Sequence, residues 1–300
     1  MAQNWEPWSD RNEEFAPVIG LHKHHLFYPT RVEAFLKDQI ELMVLVKVKP
    51  DRGLIYGSIR EFSQSDLSVK IQWLLNKEIN NKLTYLNRFG GDIDVKKSAR
   101  LQRGEPHHVY SRGFKHKKTG EAYITYWFFY LENFVPRSDK DDKIADVLKN
   151  DPSKWWSHEG DWEGISVHFS DYQDSYPNEV IFSHHNKPHK RAWQNVPLKD
   201  NRIMVISALG SHANFFQPVR KRHVPVVNLF EIASPDVLVF PDKIKKGNQL
   251  GYQLEEFDPR RRHLWLHFKG RWGQSEGGLG MAPTGPLMKR RQHFTLLADI

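Results

Sequence analysis

The strongest β-strand signal in this sequence is the run Trp155-Trp156-Ser157-His158-Glu159-Gly160-Asp161-Trp162-Glu163-Gly164-Ile165-Ser166-Val167-His168-Phe169. In its second half Ile165, Val167 and Phe169 alternate with polar residues, which is the two-residue period of a half-buried strand. The same period, continued backwards, places the carboxylates of Asp161 and Glu163 on the apolar face. The run therefore predicts a strand with two neighbouring carboxylates at the head of its buried face.

The spacing His-x-x-Asp-x-Glu within this run indicates a cation site. Two adjacent carboxylates repel each other unless positive charge lies between them. His158 precedes Asp161 by three residues in a Gly-containing turn, so its ring can fold back towards the carboxylates. We therefore expect His158, Asp161 and Glu163 to bind a divalent metal. Mixed oxygen and imidazole ligands suit Mg²⁺, Mn²⁺ or Ca²⁺, and Zn²⁺ if two histidines bind. In a simpler interpretation Asp161 caps a turn, Glu163 pairs with an arginine and His158 lies on the surface.

Two further strands, predicted at 179–185 and within 202–216, each lead into a Ser-His pair. Strand ends are where side chains meet solvent and ligands. We expect the two histidines, His184 and His212, to line one pocket with the two carboxylates. The alternative is that each Ser-His pair only caps the end of its strand.

The rest of the chain favours a mainly β fold. An aromatic run at 123–130 is typical of a central strand, and further strands are predicted at Val224–Phe230, Val237–Phe240 and His263–Phe268. Thr30 followed by Glu33 is a capping-box pattern that predicts a helix burying Val32, Phe35 and Leu36. A helical apolar stripe over 63–90 predicts a helical insertion. We therefore expect one β-sandwich-like composite domain over 1–300, with that insertion within it.

Composition limits the classes of function. The chain has no cysteine, which excludes disulfides, thiolate chemistry and cysteine-based zinc sites. Its formal net charge is +8, with the basic residues clustered in short runs. These runs are Lys187–Arg191, Arg220–His223, Lys243–Lys246, Arg260–His263 and Lys289–His293. They favour an anionic lipid or glycan surface as partner, and no specific nucleic-acid motif accompanies them.

No stretch of the sequence predicts membrane insertion or secretion. The first six residues lack the charged and apolar regions of a signal peptide. The longest apolar run, near 40–48, is interrupted by Glu41 and Lys47, so no transmembrane segment is expected. The expectation is a cytoplasmic protein that associates peripherally with membranes.

Several short pieces of the sequence resemble the vacuolar protein sorting protein 62 family. In order they are Phe15-Ala16-Pro17-Val18 with Leu21-His22, Tyr28-Pro29 with Val32-Glu33-Ala34-Phe35-Leu36, Tyr126-Trp127-Phe128-Phe129-Tyr130 with Asn133, Gly160-Asp161-Trp162-Glu163, Phe182-Ser183-His184, Gly210-Ser211-His212-Ala213-Asn214-Phe215 and Gly270-Arg271-Trp272-Gly273. The resemblance covers about residues 13 to 286, apart from the segment 63–90. It implies membership of a widespread family whose name reflects trafficking rather than a known chemistry.

A more distant resemblance concerns the central motif alone. The stretch from His158 to Glu163 is similar to the His-Arg-His-Asp-Trp-Glu core of the necrosis- and ethylene-inducing peptide toxins. Those proteins are β-sandwiches that hold a divalent metal and bind sphingolipid head groups. The resemblance implies that His158, Asp161 and Glu163 are metal ligands here. Gly160 replaces the second histidine of that core, and the secretion signal and disulfide are missing, so toxicity is not implied.

Two functions follow from the same residues. In the first, a metal-bearing β-sandwich binds a polar head group or glycan, and the basic runs hold it to an anionic membrane surface. In the alternative, the protein is a metal-dependent hydrolase in which Glu163 acts as general base and His212 stabilises charge or protonates the leaving group. The sequence does not separate the two.

Overall fold

The structure is a computed structural model that describes residues 4–37, 40–47, 54–62, 84–88, 95–136, 155–184, 187–224, 229–273 and 283–286. Within these residues the strands are β1 (Trp5–Pro7), β2 (Val18–Leu21), β3 (Ile40–Lys47), β4 (Leu54–Phe62), β5 (Thr84–Arg88), β6 (His107–His116), β7 (Ala122–Pro136), β8 (Trp155–Phe169), β9 (Glu179–His184), β10 (Lys187–Ala192), β11 (Leu198–Lys199), β12 (Arg202–Ser207), β13 (Asn214–Phe215), β14 (Val219–Val224), β15 (Leu229–Ala233), β16 (Val237–Pro241), β17 (Leu250–Glu256) and β18 (Arg271–Trp272). The helices are α1 (Val32–Lys37) and α2 (Val95–Gln102). In this part of the chain no helix has the length and apolar character needed to cross a bilayer.

A large mixed sheet dominates the described residues. Twelve of their strands form it, in the order β10-β9-β8-β7-β6-β17-β16-β2-β12-β11, with β1 beside β6 and β13 beside β12. The sheet curls around a shared apolar core, which gives the mainly β, sandwich-like architecture that the sequence predicts. A two-stranded sheet pairs β14 with β15, and a four-stranded sheet has the order β18-β5-β3-β4.

The antiparallel pair β7–β8 forms the centre of this sheet. Its register runs from Ala122 opposite Phe169 to Pro136 opposite Trp155. The predicted aromatic strand is confirmed, since the side chains of 123–130 are buried along its whole length. The register places Tyr130 opposite Asp161 and Asn133 opposite His158. Residues of β7 therefore lie directly beside the acidic motif.

Helix α1 is confirmed at its predicted position, although the expected capping box does not form. Val32, Phe35 and Leu36 are buried, as the pattern requires. The first-turn N–H of Val32 donates instead to the Tyr110 hydroxyl, at 3.0 Å. The Glu33 carboxylate accepts from the indole N–H of Trp265 at 2.9 Å, so it ties the helix to the core rather than to its own start.

Three elements of the structure differ from the sequence predictions. Of the helix predicted over 63–90, residues 63–83 lie outside the described residues, and Thr84–Arg88 forms strand β5 instead. The strand predicted at Val224–Phe230 spans the end of β14 and the start of β15, which pair with each other. The strand predicted at His263–Phe268 is wrong, because Leu264–His267 forms a 3₁₀ turn.

Local hydrogen bonds explain the turn at 264–267. The backbone N–H of His263 donates to the Asp258 carbonyl at 2.8 Å, and that of Asp258 donates to His263 Nδ1 at 2.8 Å. Side-chain-to-backbone bonds of this kind compete with a strand ladder. The apolar residues Trp265 and Leu266 are buried within the turn, so their hydrophobic character alone suggested a strand.

Gly160 is a constrained position inside β8. Its φ is +58°, in the left-handed region that favours glycine. A Cβ at residue 160 would also come within 2.9 Å of the Trp272 carbonyl oxygen. The motif therefore carries glycine here because both the backbone conformation and the neighbouring chain exclude a side chain.

We predict that Gly160→Ala destabilises the protein more than Gly247→Ala. Both positions have nearly equal left-handed φ, +58° and +56°, so both variants bear a backbone strain of about 1–2 kcal/mol. Among the described residues nothing lies within 4 Å of a Cβ at 247, whereas the one at 160 is crowded by Trp272, which adds about 1–3 kcal/mol. Urea unfolding measures both, and equal losses would contradict the crowding argument.

Candidate functional site

The centre of the candidate site is a buried carboxylate–imidazole pair. Nδ1 of His212 lies 3.0 Å from Oδ2 of Asp161. Both residues are buried, at 0% and 5% exposure. The amide of Asn133 donates to the same Oδ2 at 3.2 Å and to the Ser211 carbonyl at 3.1 Å. The structure therefore brings His212 to Asp161, as the strand-end argument predicts, and adds an asparagine from β7 that joins the two segments.

A tight turn after β12 fixes the His212 ring. His212 has a φ of +55°, and its backbone N–H donates to the Ala208 carbonyl at 3.1 Å. The imidazole stacks on the Tyr130 ring with a centroid distance of 3.7 Å and an interplanar angle of 3°. The left-handed backbone and the parallel ring together hold Nδ1 towards Asp161.

The environment shifts the proton affinities of both stacked rings. Burial lowers the pKa of His212, and its contact with Asp161 opposes that shift only in part. Burial raises the pKa of Tyr130, and the nearby carboxylates of Asp161 and Glu163 raise it further, although its contact with Ser207 opposes this. At neutral pH the pair therefore consists of a neutral imidazole and a neutral phenol beside two carboxyl groups.

Glu163 lies two residues further along β8 and has its own partner. The Ser183 hydroxyl of β9 donates to Glu163 Oε2, and the backbone N–H of Gly164 donates to that hydroxyl at 3.0 Å. Glu163 is 8% exposed. Ser183 thus orients this carboxyl group much as His212 and Asn133 orient Asp161.

His158 turns back on its own backbone. Its Nδ1 lies 3.0 Å from the carbonyl oxygen of Gly160, so that nitrogen donates and the ring is only partly buried. His158 is close enough to lower the pKa of His212 by charge repulsion. The structure therefore places His158, Asp161 and Glu163 along the middle of β8, with His212 against Asp161. The side chain of His184 lies outside the described residues.

Sequence reasoning missed two more carboxylates in the same strands. Glu132 and Glu159 are opposite each other in the β7–β8 register, and both are fully buried. The Ser98 hydroxyl of α2 donates to Glu132 at 2.5 Å. The aromatic run before Glu132 could have indicated its burial, but the opposing partner is visible only once the register is known.

His25 is a third residue whose place the sequence did not reveal, although His22, His24 and His25 form a recognisable histidine cluster. Its ring nitrogens lie 3.1 Å from the Phe27 carbonyl and 3.0 Å from the Ala208 carbonyl. Ala208 O is the same atom that accepts from His212 N–H. Burial lowers the pKa of His25 to about 3 and outweighs both backbone contacts. His25 therefore supports the turn that carries His212.

The donor atoms of these residues suit a metal ion, but their positions do not converge on one point. An imidazole and two carboxyl groups are suitable donors, and each has one atom anchored by a neighbouring group, as metal ligands commonly have. Within the described residues, however, no three His, Asp or Glu side chains converge on a point that could hold an ion. A divalent metal at His158, Asp161 and Glu163 stays a prediction.

The turn after β12 contains polar atoms without a partner. Among the residues that the structure describes, Ser211 Oγ, His212 Nε2 and Asn214 Oδ1 make no hydrogen bond although they are buried. Asn214 lies against β8, since its amide donates to the Gly164 carbonyl at 3.2 Å. Buried polar atoms normally have a partner, which can be water or a ligand. These three atoms therefore keep hydrogen-bonding capacity for a water or a ligand.

We predict that the Asp161–His212 contact contributes about 3 kcal/mol, because removing one partner leaves the other buried and unmatched. His212→Phe keeps a ring on Tyr130 but removes the Nδ1 donor, and should lower the free energy of unfolding by that amount. Adding Asp161→Asn removes the buried charge and should recover part of the loss. Denaturant unfolding of both single variants and the double variant measures this coupling, and strictly additive losses would exclude it.

We also predict that His25 makes the fold acid-sensitive. Its folded pKa of about 3 lies below the unfolded value near 6.5. Below about pH 6.5 the unfolded chain therefore binds a proton that the folded chain does not, and stability falls as pH falls, by about 1.4 kcal/mol per pH unit until pH nears 3. His25→Asn should flatten the slope of unfolding free energy against pH between 6 and 4. His24→Asn, from the same turn, is the control, and an unchanged slope in His25→Asn would refute the assignment.

Comparison with known proteins gives little further information. No protein-family model matches the sequence, and no curated protein matches it. A solved structure, Necrosis and Ethylene inducing Protein 2 from the causal agent of cocoa's Witches Broom disease, is similar at 18% identity over 50% of each chain, with a TM-score of 0.27. The chain thus matches half the length of that protein, and so low a TM-score carries no argument about function. The resemblances to the vacuolar protein sorting protein 62 family and to the toxins stay predictions.

Proposed function

We propose that this protein binds the polar head group or glycan of a membrane component at the site around Asp161 and His212. A divalent cation at His158, Asp161 and Glu163 would take part, and basic residues would hold the protein to an anionic surface. The observation that carries the proposal is the turn at 211–214, whose buried polar atoms have no partner among the described residues. A ligand rich in hydroxyl groups can supply those partners.

The order within the site supports binding. Asp161, His212 and Glu163 are each held in position by hydrogen bonds from a different strand or turn. A site that is ordered before the ligand arrives loses less conformational freedom on binding. The polar groups are therefore arranged to recognise a particular geometry rather than a general charge.

The cation, when bound, would supply positive charge that draws oxygen atoms of the head group to the carboxylates. The chain's own residues do the rest: His212 and Asn133 orient Asp161, and Ser183 orients Glu163. Mg²⁺, Ca²⁺ or Mn²⁺ would suit these oxygen donors, and Zn²⁺ would need a second histidine.

A basic strand adjoins the site and favours an anionic surface as its setting. Strand β10 pairs with β9 at the edge of the large sheet, with Pro188 opposite the Ser183 that holds Glu163. Lys190 and Arg191 of this strand have described side chains, and Lys190 pairs with Glu179 at 3.0 Å. In the other runs Lys243, Lys245 and Arg262 form ion pairs with Glu13, Asp242 and Glu255. The side chains of 220–223 and residues 289–293 lie outside the described residues.

A metal-dependent hydrolase remains the second candidate, because one observation favours it. His212 presents Nδ1 to a carboxylate while Nε2 has no partner among the described residues, which is the orientation of a general acid–base imidazole. Turnover of carboxylic ester, phosphodiester and glycoside substrates, with and without chelator, separates this function from simple binding.

We predict salt-sensitive binding to anionic liposomes that depends on β10. Each basic residue near such a surface contributes roughly 1 kcal/mol. Replacing Lys187, Lys190 and Arg191 with Gln should therefore weaken co-sedimentation about 100-fold at low salt. A Lys243→Gln/Lys245→Gln variant removes two lysines that lie outside β10 and is the control, with little expected change.

The same assay tests the cation and the site. If the site recognises a head group, binding should differ between vesicles of equal charge but different head groups. Chelator, or Asp161→Asn, should abolish that difference and leave general attraction to anionic vesicles intact. Elemental analysis after reconstitution measures the metal directly. Absence of liposome binding at low salt would refute the anionic surface as partner. Less than about a tenth of an equivalent of any divalent ion after reconstitution would refute the metal, since an ion that binds the folded state should be retained by it.

A further inference from the structure

A small cavity lies at the opposite end of β12 from His212. It has a volume of ≈ 220 Å³, opens to solvent on one side, and is lined by Asp200, Arg202, Phe240, Ile244, Lys246 and Gln249. The volume is below the range of about 300–1,000 Å³ that is typical of pockets for drug-sized ligands. An occupant would therefore be a small molecule.

A tight hairpin and a backbone network fix the cationic wall. Asp200 and Asn201 have φ of +50° and +62°, which is the conformation of a two-residue turn between β11 and β12. Arg202 follows that turn, and its Nη1 donates to the carbonyl oxygens of Glu13, Glu14 and Ala16 at 2.6, 3.2 and 3.2 Å. The guanidinium is therefore held rigidly by one nitrogen.

Neither cation of this wall forms an ion pair among the described residues, although Glu14, whose carboxylate pairs with Arg11, also lies within the field of Arg202. Within the described part of the chain, neither Nε nor Nη2 of Arg202 forms a hydrogen bond, and Lys246 forms no ion pair. Lys245, the neighbour of Lys246, pairs instead with Asp242 at 3.2 Å. The cavity is thus lined by two cations that form no ion pair among the described residues and by one carboxyl group, Asp200.

The floor of the cavity is apolar. Phe240 is 3% exposed, so its ring is fixed in the fold, and Ile244 is partly buried beside it. The loop that carries Ile244 and Lys246 is closed by a bond from Lys246 N–H to Gln249 Oε1 at 2.8 Å. A lining that combines apolar and cationic side chains suits a molecule with one apolar part and one anionic part.

We propose that this cavity binds a small amphipathic carboxylate. Its apolar part would lie on Phe240 and Ile244, and its carboxylate would contact Arg202 and Lys246. A planar carboxylate matches the N–H groups of a guanidinium. A single negative charge is favoured because Asp200, and Glu14 near Arg202, reduce the positive charge of the lining and would repel a second anionic group.

Titration with 3-phenylpropionate, followed by ¹H–¹⁵N NMR of the whole chain, tests this site. The probe should shift the amide signals of residues 200–202 and 244–249 and saturate in the millimolar range, as expected for a small, partly exposed ligand. Lys246→Gln should weaken binding about two- to fivefold, the effect of an exposed charge contact. Lys245→Gln removes a neighbouring lysine that does not line the cavity and should leave binding unchanged.

The neutral analogue 3-phenylpropan-1-ol separates charge recognition from hydrophobic contact. Binding of the carboxylate that clearly exceeds binding of the alcohol, and that falls only in Lys246→Gln, would support the proposal. Equal binding of both compounds, equal losses in the two lysine variants, or no shift at 10-fold the expected dissociation constant would overturn it. Both substitutions are at exposed positions, so thermal unfolding should show that each variant folds.

Discussion

The contact between Asp161 and His212 is the constraint on which the candidate site depends. A carboxylate that leaves water for a protein interior loses several kcal/mol of hydration unless donors replace it. Asp161 obtains these donors from the turn after β12 and from Asn133 of β7. Three segments that are remote in sequence must therefore meet at one oxygen atom, and their meeting fixes the His212 ring beside β8.

Much of the fold could be predicted because its central strands have strong local patterns. β8 alternates apolar and polar residues, and β7 is aromatic on both faces, so both were recognisable alone. The edge strand β10, Lys187–Ala192, has no apolar period, since it owes its conformation to its ladder with β9. At 264–267 local hydrogen bonds produced a 3₁₀ turn although the residues are apolar. Pattern alone fails where pairing or local bonding decides the structure.

The candidate site also combines residues that sequence patterns predict with residues that only strand pairing reveals. His212 could be predicted, because a Ser-His pair after an apolar strand indicates an imidazole at a strand end. Asn133 and Tyr130 could not, because their positions opposite His158 and Asp161 follow from the β7–β8 register, which single-strand patterns do not specify. His25 acts through the Ala208 carbonyl and leaves no spacing signal. Residues that orient others are harder to find than residues that carry the charge.

Strand β12 connects the two sites that this structure suggests. Arg202 at its start forms the cationic wall of the cavity, and the turn after Ser207 at its end carries His212. Ser207 follows Arg202 by five residues, so at about 3.3 Å per residue these ends are about 17 Å apart. The strand is fixed by parallel pairing with β2, by the carbonyl contacts of Arg202 and by the His212–Asp161 contact. Because a one-residue slip would reverse every side chain of β12, these contacts hold both sites in register together.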